Sequence, residues 1–301
     1  MSISGTCRHP RGNLEAGSAS GTHGPHDANG DHGAVRPTQR PSLTQVLGEL
    51  LLTAGALLLL FAFYESFWTN IASGRLQNDA QANLEQRWHD GDDPWVNPRE
   101  RRLPAPGDAF ARMFIPAFGP DYVFAIVEGV DEQQLLAGPG RYPDTQLPGE
   151  PGNFAVAGHR VGKGAPFNDL AALRACDAIV VETRSSWVTY RVLPMETGSA
   201  PRHAEAKACL SPPLIDRVAD GDYAGVLGRH ITLPGDVNVL NPMPESPSTE
   251  VTEGLAGMIT LTTCHPQFSN AERMIIHAIQ TEVTPKTGEN TPPPAALTET
   301  K

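Results

Sequence analysis

One stretch near the C-terminal end, residues 258–279, most strongly constrains how this chain can fold. Its first half is rich in β-favouring residues and ends at Cys264, and Pro266 with small polar residues interrupts its centre. An apolar run resumes after Arg273. We expect two neighbouring strands that bring Cys264 and Arg273 opposite each other across a short loop. A fixed cation beside a thiol favours the thiolate and can stabilise an oxyanion.

A second short strand, residues 153–160, ends in a Gly-His-Arg corner that places His159 at a strand end. Thiol acyl transfer requires a proton donor, a nucleophile and an oxyanion donor, and the three strand-end residues can supply them. In these roles Cys264 attacks as the thiolate and His159 as the imidazolium protonates the leaving amine. Arg273 stays protonated near neutral pH, so it cannot be the base and instead hydrogen-bonds the scissile carbonyl oxygen.

The motifs that carry these residues resemble those of the sortase family. TLTTC at 260–264, an arginine nine residues after the cysteine, and AGHR at 157–160 preceded by GEPGNFAV follow the order of the family. The pattern is most similar to class E, the housekeeping-type sortases of high-GC Gram-positive bacteria, over residues 111–283. The resemblance implies a mainly β fold, an eight-stranded sortase β-barrel with short helices. It implies no cofactor and no metal.

The resemblance also implies a substrate and two further site residues. The thiolate is expected to attack the Thr–Gly carbonyl of an LAXTG- or LPXTG-like sorting signal on a surface protein. An amine of a lipid-linked peptidoglycan precursor or of a pilin then resolves the thioacyl-enzyme. Class E favours alanine at the second position of the signal, and Tyr142 is a candidate for reading it. Thr263 is expected to aid oxyanion and substrate binding through its hydroxyl and backbone N–H.

Residues 43–64 form the segment that is apolar and long enough to cross a membrane as a helix. The next cation after it is Arg75, whereas four arginines precede it, namely Arg8, Arg11, Arg36 and Arg40. The positive-inside rule therefore places the N-terminus in the cytoplasm and the catalytic domain outside the cell. We expect a single-pass, uncleaved anchor in the cell membrane; a cleaved signal peptide is the alternative.

The rest of the chain divides into flanks and one β domain. Residues 1–42 are rich in Gly, Ser, His and Pro, which predicts a disordered cytoplasmic tail. Residues 65–108 combine a helical apolar stripe with a Pro-rich linker, and the helix is expected to stand as a stalk or to pack on the domain. Short strands separated by turns place the catalytic domain at 109–285. Residues 286–301 are predicted to be a disordered tail.

Residues 196–229 depart from the family pattern and are interpreted as an insertion, with a short helix over 214–219 and a strand following at 236–240. The insertion resembles the long loop that lines the substrate groove in sortases, so it bears on substrate or nucleophile preference. An exported domain permits disulfides, and we hypothesise that Cys176 and Cys209 pair and tie the insertion to the barrel. Two unpaired thiols are the alternative.

Charge and motif order weigh against other classes of protein. The net charge of -11 argues against a nucleic-acid partner, and the cysteines lack the spacing of a zinc site. Papain-like enzymes place the cysteine before the histidine, and the motif of L,D-transpeptidases is absent. Two alternatives stay open: a secreted cysteine peptidase, which would hydrolyse without an amine acceptor, and a non-catalytic module that holds sorting-signal peptides.

Overall fold

The computed structural model describes residues 42–90, 103–287 and 291–300, so nearly all of the predicted cytoplasmic tail and most of the Pro-rich linker lie outside the described residues. The described chain forms two units, one ending at Tyr64 and the other beginning at Glu65. The first contains helix α1 (Leu43–Phe63), which begins where the Ser42 hydroxyl accepts a hydrogen bond from the backbone N–H of Gln45. Among the described residues, α1 is the one helix long and apolar enough to cross a membrane.

The second unit is built on a closed β-barrel. Its described residues contain nine strands: β1 (Ala109–Phe114), β2 (Val123–Glu128), β3 (Gly140–Arg141), β4 (Gly152–Ala157), β5 (Ala178–Glu182), β6 (Ser186–Val192), β7 (Arg229–Thr232), β8 (Gly257–His265) and β9 (Glu272–Pro285). Eight of them pair in the order β6-β5-β1-β2-β3-β4-β8-β9, and β9 closes the ring by pairing with β6. The predicted eight-stranded barrel is therefore confirmed. The remaining strand, β7, pairs with the first part of β9.

The hairpin of β8 and β9 presents one face to the barrel core and one away from it. Ile259 and Leu261 of β8 and Ile276 of β9 belong to the main apolar core. Because side chains alternate along a strand, their neighbours point outward. We call this surface the outer face of the hairpin; it consists of the register pairs Thr260–His277, Thr262–Ile275 and Cys264–Arg273.

Helix α2 (Thr69–Asp90) packs against the barrel. Its Leu84 is 1% exposed and lies in an apolar cluster with Ala109, Ala125 and Val127. Of the two alternatives that the sequence left open for this helix, the structure therefore shows packing on the domain rather than a separate stalk. A short helix, α3 (Glu132–Ala137), follows β2.

The insertion contains two short helices, α4 (Ser199–Ala206) and α5 (Pro212–Ala219), of which the sequence predicted only the second. The guanidinium of Arg202, a residue that is 1% exposed, organises the segment around it. It donates hydrogen bonds to the backbone carbonyls of Pro194, Glu196, Val218, Tyr223 and Val226. The buried Arg202 guanidinium thus supplies hydrogen bonds to backbone carbonyls of this segment that would otherwise be buried without a partner.

The insertion lies away from the end of the hairpin that carries Cys264. Its apolar residues pack with Met258 and Ile279. That register pair is separated from Cys264 and Arg273 by six residues along each strand, about 20 Å at the rise of a strand. The apolar part of the described insertion therefore packs on the far end of the hairpin, whereas its last residue, Arg229, pairs with Ile276 of β9.

Two other expectations differ from the structure. Residues 236–240 were expected to form a strand, but they contain the 3-10 helix Val237–Leu240, because the Asp236 carboxylate accepts hydrogen bonds from Thr232 and Leu233 and closes a turn. Residues 291–300 of the predicted disordered tail instead pack on the barrel. There Ala296 is buried against Trp187, and Glu299 accepts a 2.8 Å hydrogen bond from Arg191.

The predicted disulfide between Cys176 and Cys209 is present and joins the turn before β5 to the insertion. It closes a loop with a sequence separation of 33 residues. We expect the double variant Cys176→Ser, Cys209→Ser to lose about 3–4 kcal/mol of unfolding free energy, because the open loop gains conformational entropy in the unfolded state. Urea unfolding of the oxidised protein and the double variant measures the difference. Equal stabilities would contradict this expectation.

Candidate active site

Strand pairing places Cys264 and Arg273 side by side, as the sequence predicted. They are direct register partners at the open end of the β8–β9 hairpin. Cys264 is partly exposed and forms no disulfide. Arg273 is 5% exposed, and its guanidinium donates hydrogen bonds of 3.0 and 2.9 Å to the carbonyl oxygens of Asn270 and Glu272. These carbonyls hold the cation at the loop that joins the two strands.

The parallel pairing of β4 with β8 brings His159 to the same end of the barrel. Ala157 is the partner of Thr262, and the backbone N–H of Gly158 continues the pairing with a 3.1 Å hydrogen bond to the Thr262 carbonyl. His159 and Cys264 each lie two residues beyond the same register pair, Ala157–Thr262, so both lie at this end of the barrel. Gly158 is required here because a Cβ at its position would lie 2.6 Å from the ring of Phe167.

Two side chains hydrogen-bond to backbone carbonyls next to this site. The hydroxyl of Thr263 donates a 2.8 Å hydrogen bond to the Gly158 carbonyl, and Arg160 donates a 3.2 Å hydrogen bond to the Cys264 carbonyl. Thr263 is buried on the core side of β8, opposite in direction to Cys264. The hydroxyl was expected to contact substrate or oxyanion. Its hydrogen is instead donated to the Gly158 carbonyl, which follows β4, so this expectation is wrong.

The buried environment of His159 favours its neutral form. Its side-chain Nε2 has no hydrogen-bond partner among the described residues, and the residue is 8% exposed. Burial, with a smaller contribution from the Lys163 ammonium, lowers the pKa of His159 to about 4, although Glu132 acts in the opposite direction. The resting site therefore holds a neutral imidazole near pH 7. The imidazolium that the sequence analysis assigned to the reaction has to form during the reaction.

This lowered pKa predicts that His159 makes the fold sensitive to acid. The pKa of a solvated histidine is 6.5, so below that pH the unfolded chain binds a proton that the folded chain binds only near pH 4. The contribution is fully present above pH 6.5 and is lost as the pH falls through this window. When the pH is lowered from 7 to 4.5, the unfolding free energy of both proteins falls. We expect the fall to be about 2 kcal/mol smaller for His159→Gln than for the parent protein. Urea unfolding at both pH values tests this, and equal losses would refute it.

Tyr142 reaches the outer face between the two ends of the hairpin. Its phenol lies 2.9 Å from the hydroxyl of Thr262, and its ring packs with Val239 and Ile275. Burial raises the pKa of Tyr142, while its Thr262 hydrogen bond and the Arg273 charge lower it and Cys264 raises it. The phenol is thus close enough to Cys264 and Arg273 to interact electrostatically with both.

Sequence reasoning did not assign a role to Arg160 or Thr262, although both lie within the two motifs that it singled out. Arg160 is the last residue of AGHR, and besides the Cys264 carbonyl it contacts His265 Nδ1 at 2.7 Å. Thr262 lies two residues before Cys264 and so shares its face of β8. The alternation of side chains along β8 could have identified Thr262.

Comparison with known proteins agrees with this geometry. Residues 113–281 match the model of the sortase domain family. "Sortase SrtE1" of Streptomyces coelicolor is 30% identical over 84% of this chain, and the match spans 61% of the length of that relative. "Sortase SrtE2" of the same organism is 28% identical over 88% of this chain and 92% of its own length. The structure of "SrtF sortase from Corynebacterium diphtheriae" is 59% identical, covers 68% of this chain and 98% of its own, and has a TM-score of 0.64.

Proposed function

Because this chain belongs to the sortase family, we propose that it is a membrane-anchored cysteine transpeptidase that cleaves an LAXTG- or LPXTG-like sorting signal between Thr and Gly and joins the acyl group to an amine. The observation that carries the proposal is the position of Cys264 opposite Arg273, with His159 at the corresponding end of β4. In this proposal the three residues at one end of the barrel serve as nucleophile, oxyanion donor and proton carrier.

Each of the three side chains has its own role in the two halves of the reaction. The thiolate of Cys264 attacks the threonine carbonyl carbon, an S–C bond forms, and Arg273 hydrogen-bonds the developing oxyanion. The C–N bond to glycine then breaks, and His159 gives its proton to the leaving amine. In the second half the incoming amine attacks the thioester, His159 accepts the proton that this amine loses, and Cys264 leaves as the thiolate.

The buried, neutral state of His159 sets the protonation equilibrium of this site. Forming the reactive pair moves a proton from Cys264 to His159, which produces two charges in a poorly solvated place. Arg273 stabilises the thiolate electrostatically, but a histidine with a lowered pKa is a weak acceptor for that proton. The reactive ion pair is therefore a minority form of the resting site.

We propose that the sorting signal binds at the partly exposed surface beside Cys264. Tyr142 lies on this surface next to Thr262, and we assign it to contact the second position of the signal. We expect Tyr142→Phe to raise KM for an LAXTG peptide about 3- to 10-fold with little change in kcat, because the phenol hydroxyl contributes about 1 kcal/mol of binding. Steady-state kinetics with LAXTG and LPXTG peptides measure this. An unchanged KM for both peptides would exclude a binding contact from the Tyr142 hydroxyl.

Helix α1 supports the assignment of the enzyme to the cell membrane. The helix is strongly apolar, its side chains are exposed, and its backbone hydrogen bonds are made within the helix, which suits a lipid environment. The arginines that precede it support a topology with the N-terminus in the cytoplasm and the barrel outside the cell. There the barrel would meet surface proteins that carry sorting signals and an amine from a peptidoglycan precursor or a pilin.

The decisive experiment incubates the full chain, in detergent, with an LAXTG peptide and an amine acceptor, and analyses products and intact protein by mass spectrometry. We expect a peptide joined to the amine, release of the fragment that begins with glycine, and a thioester adduct that maps to Cys264. Hydrolysis that added amine never diverts would instead indicate a cysteine peptidase. Peptide binding without any adduct or product would indicate a non-catalytic binding module.

A further inference from the structure

A second group of chemically active side chains lies on the hairpin, separate from the proposed catalytic residues. His277 of β9 belongs to the outer face and is the register partner of Thr260. It lies four residues along the strand from Arg273, a distance of about 14 Å. His230 of β7 and Glu245, in the loop after the 3-10 helix, complete the group. One ligand atom from each of the three residues lies within 4.8 Å of the others.

The hydrogen bonds of His277 fix which of its nitrogens carries the proton. The Thr260 hydroxyl donates to Asn153 Oδ1 at 2.8 Å, and the Asn153 amide nitrogen donates in turn to the Val239 carbonyl. With its proton used in this way, the Thr260 oxygen accepts at 2.8 Å from His277 Nδ1, which must therefore carry a hydrogen. In the neutral ring Nε2 is then an unprotonated lone pair.

That lone pair is aimed into the group and has no hydrogen-bond partner among the described residues. His277 is 0% exposed, and its buried Nε2 makes no hydrogen bond. A Glu245 carboxylate oxygen lies 3.9 Å from this nitrogen, and a carboxylate is an acceptor that offers no hydrogen. A buried lone pair that faces a carboxylate is an arrangement that can bind a cation between the two groups.

The other two residues complete a ligand set around the same point. His230 Nε2 lies 3.1 Å from the same carboxylate oxygen of Glu245, and the two imidazole ring centres are 5.4 Å apart. Glu245 adopts a positive φ of 67°, and its backbone N–H donates to the Asn238 carbonyl at 3.1 Å. A non-glycine residue in this conformation is uncommon, and here it directs the carboxylate toward the two histidines.

We propose that His230, Glu245 and His277 form a binding site for a divalent transition-metal ion of the zinc type. Two imidazoles and one carboxylate are a ligand set that zinc takes, with water in the fourth position. Zinc–ligand bonds of about 2.0–2.2 Å in a tetrahedron separate the ligand atoms by about 3.3 Å. The observed separations of 3.1 and 3.9 Å to Glu245 bracket that value.

The hydrogen-bond chain behind His277 is the arrangement expected for a metal ligand. Metal-binding histidines donate their other ring N–H to an acceptor that fixes the tautomer and the ring orientation, and Thr260 with Asn153 does so here. A bound ion would join β7, β9 and the loop that carries Glu245. That loop follows Val239, which packs beside Tyr142, so the ion would stiffen the wall of the outer face.

Zinc titration of the full chain by calorimetry, in detergent and after EDTA treatment and dialysis, tests the proposal. The parent for this work is Cys264→Ala, because a thiol would compete as a ligand. We expect His230→Gln and Glu245→Gln each to weaken one zinc-binding event of this parent at least about 10-fold. Both residues are partly or fully exposed and His277 stays in place, so these variants can fold; circular dichroism checks them. If one variant does not fold, the other decides.

His203→Gln is the matched control, because His203 also lies next to a carboxylate, that of Asp220 at 2.7 Å, and no third ligand joins it in a metal group among the described residues. Its isotherm should equal that of the parent. The histidines of the N-terminal segment are present in every variant, so any zinc that they bind contributes equally to all isotherms. Saturating zinc should raise the Tm of the parent by about 5–10 °C and that of Glu245→Gln by much less. Isotherms that coincide for the parent, His230→Gln and Glu245→Gln would overturn the site, whatever the outcome of the peptide assays.

Discussion

We expect Cys264→Ala to abolish transfer of an LAXTG peptide to an amine acceptor, with product formation falling at least about 10³-fold. The methyl group of alanine cannot form the thioester, so no acyl group is held for the amine to attack. Cys264 is partly exposed at a strand end, so the variant should keep the Tm of the parent and should still bind the peptide. Product analysis by mass spectrometry and peptide binding by fluorescence anisotropy measure the two effects separately.

The control for this result is the double variant Cys176→Ser, Cys209→Ser, which removes the disulfide of the described domain and leaves Cys264 in place. Assayed well below its own Tm, it should form the same adduct on Cys264 and the same product. If Cys264→Ala kept its product while the adduct appeared on another residue, Cys264 would not be the nucleophile. Retained biological function without any product would favour the non-catalytic binding module.

We expect Arg273→Ala to lower kcat by about 10²–10³-fold, with a smaller change in KM, because the proposed role of the guanidinium is to stabilise charge that develops only in the transition state. Arg273→Lys should recover only part of this loss, since an ammonium lacks the planar fork that can donate to the oxyanion while it keeps the Asn270 and Glu272 carbonyls. Single-turnover measurement of thioester formation separates the chemical step from product release.

Arg217→Ala is the matched control, since it also removes one positive charge but from helix α5 of the insertion, where Arg217 pairs with Asp222. It should leave kcat within about 2-fold, because a surface ion pair contributes little and the charge is not at the site. The Tm of each variant shows whether loss of the buried Arg273 also weakens the fold. A kcat for Arg273→Ala equal to that of Arg217→Ala would exclude an oxyanion role for Arg273.

Much of the proposed catalytic site could be predicted because it rests on local strand patterns. The apolar runs on both sides of Pro266 predicted the hairpin, and a hairpin of that loop length pairs Cys264 with Arg273. The position of His159 followed from a strand end and from the family motif. The role expected for the Thr263 hydroxyl could not be judged in the same way, because its partner, the Gly158 carbonyl, belongs to a distant strand.

Local periodicity and short motifs were sufficient to predict the hairpin, the barrel class, the apolar helix and the identity of three candidate catalytic side chains. Three features became apparent only from the folded chain: the burial and neutral form of His159, the packing of the insertion on the far end of the hairpin, and the convergence of His230, Glu245 and His277. Burial and convergence depend on which distant segments pack together. That packing is set by the closure of the whole barrel, and a pattern read along one segment does not contain it.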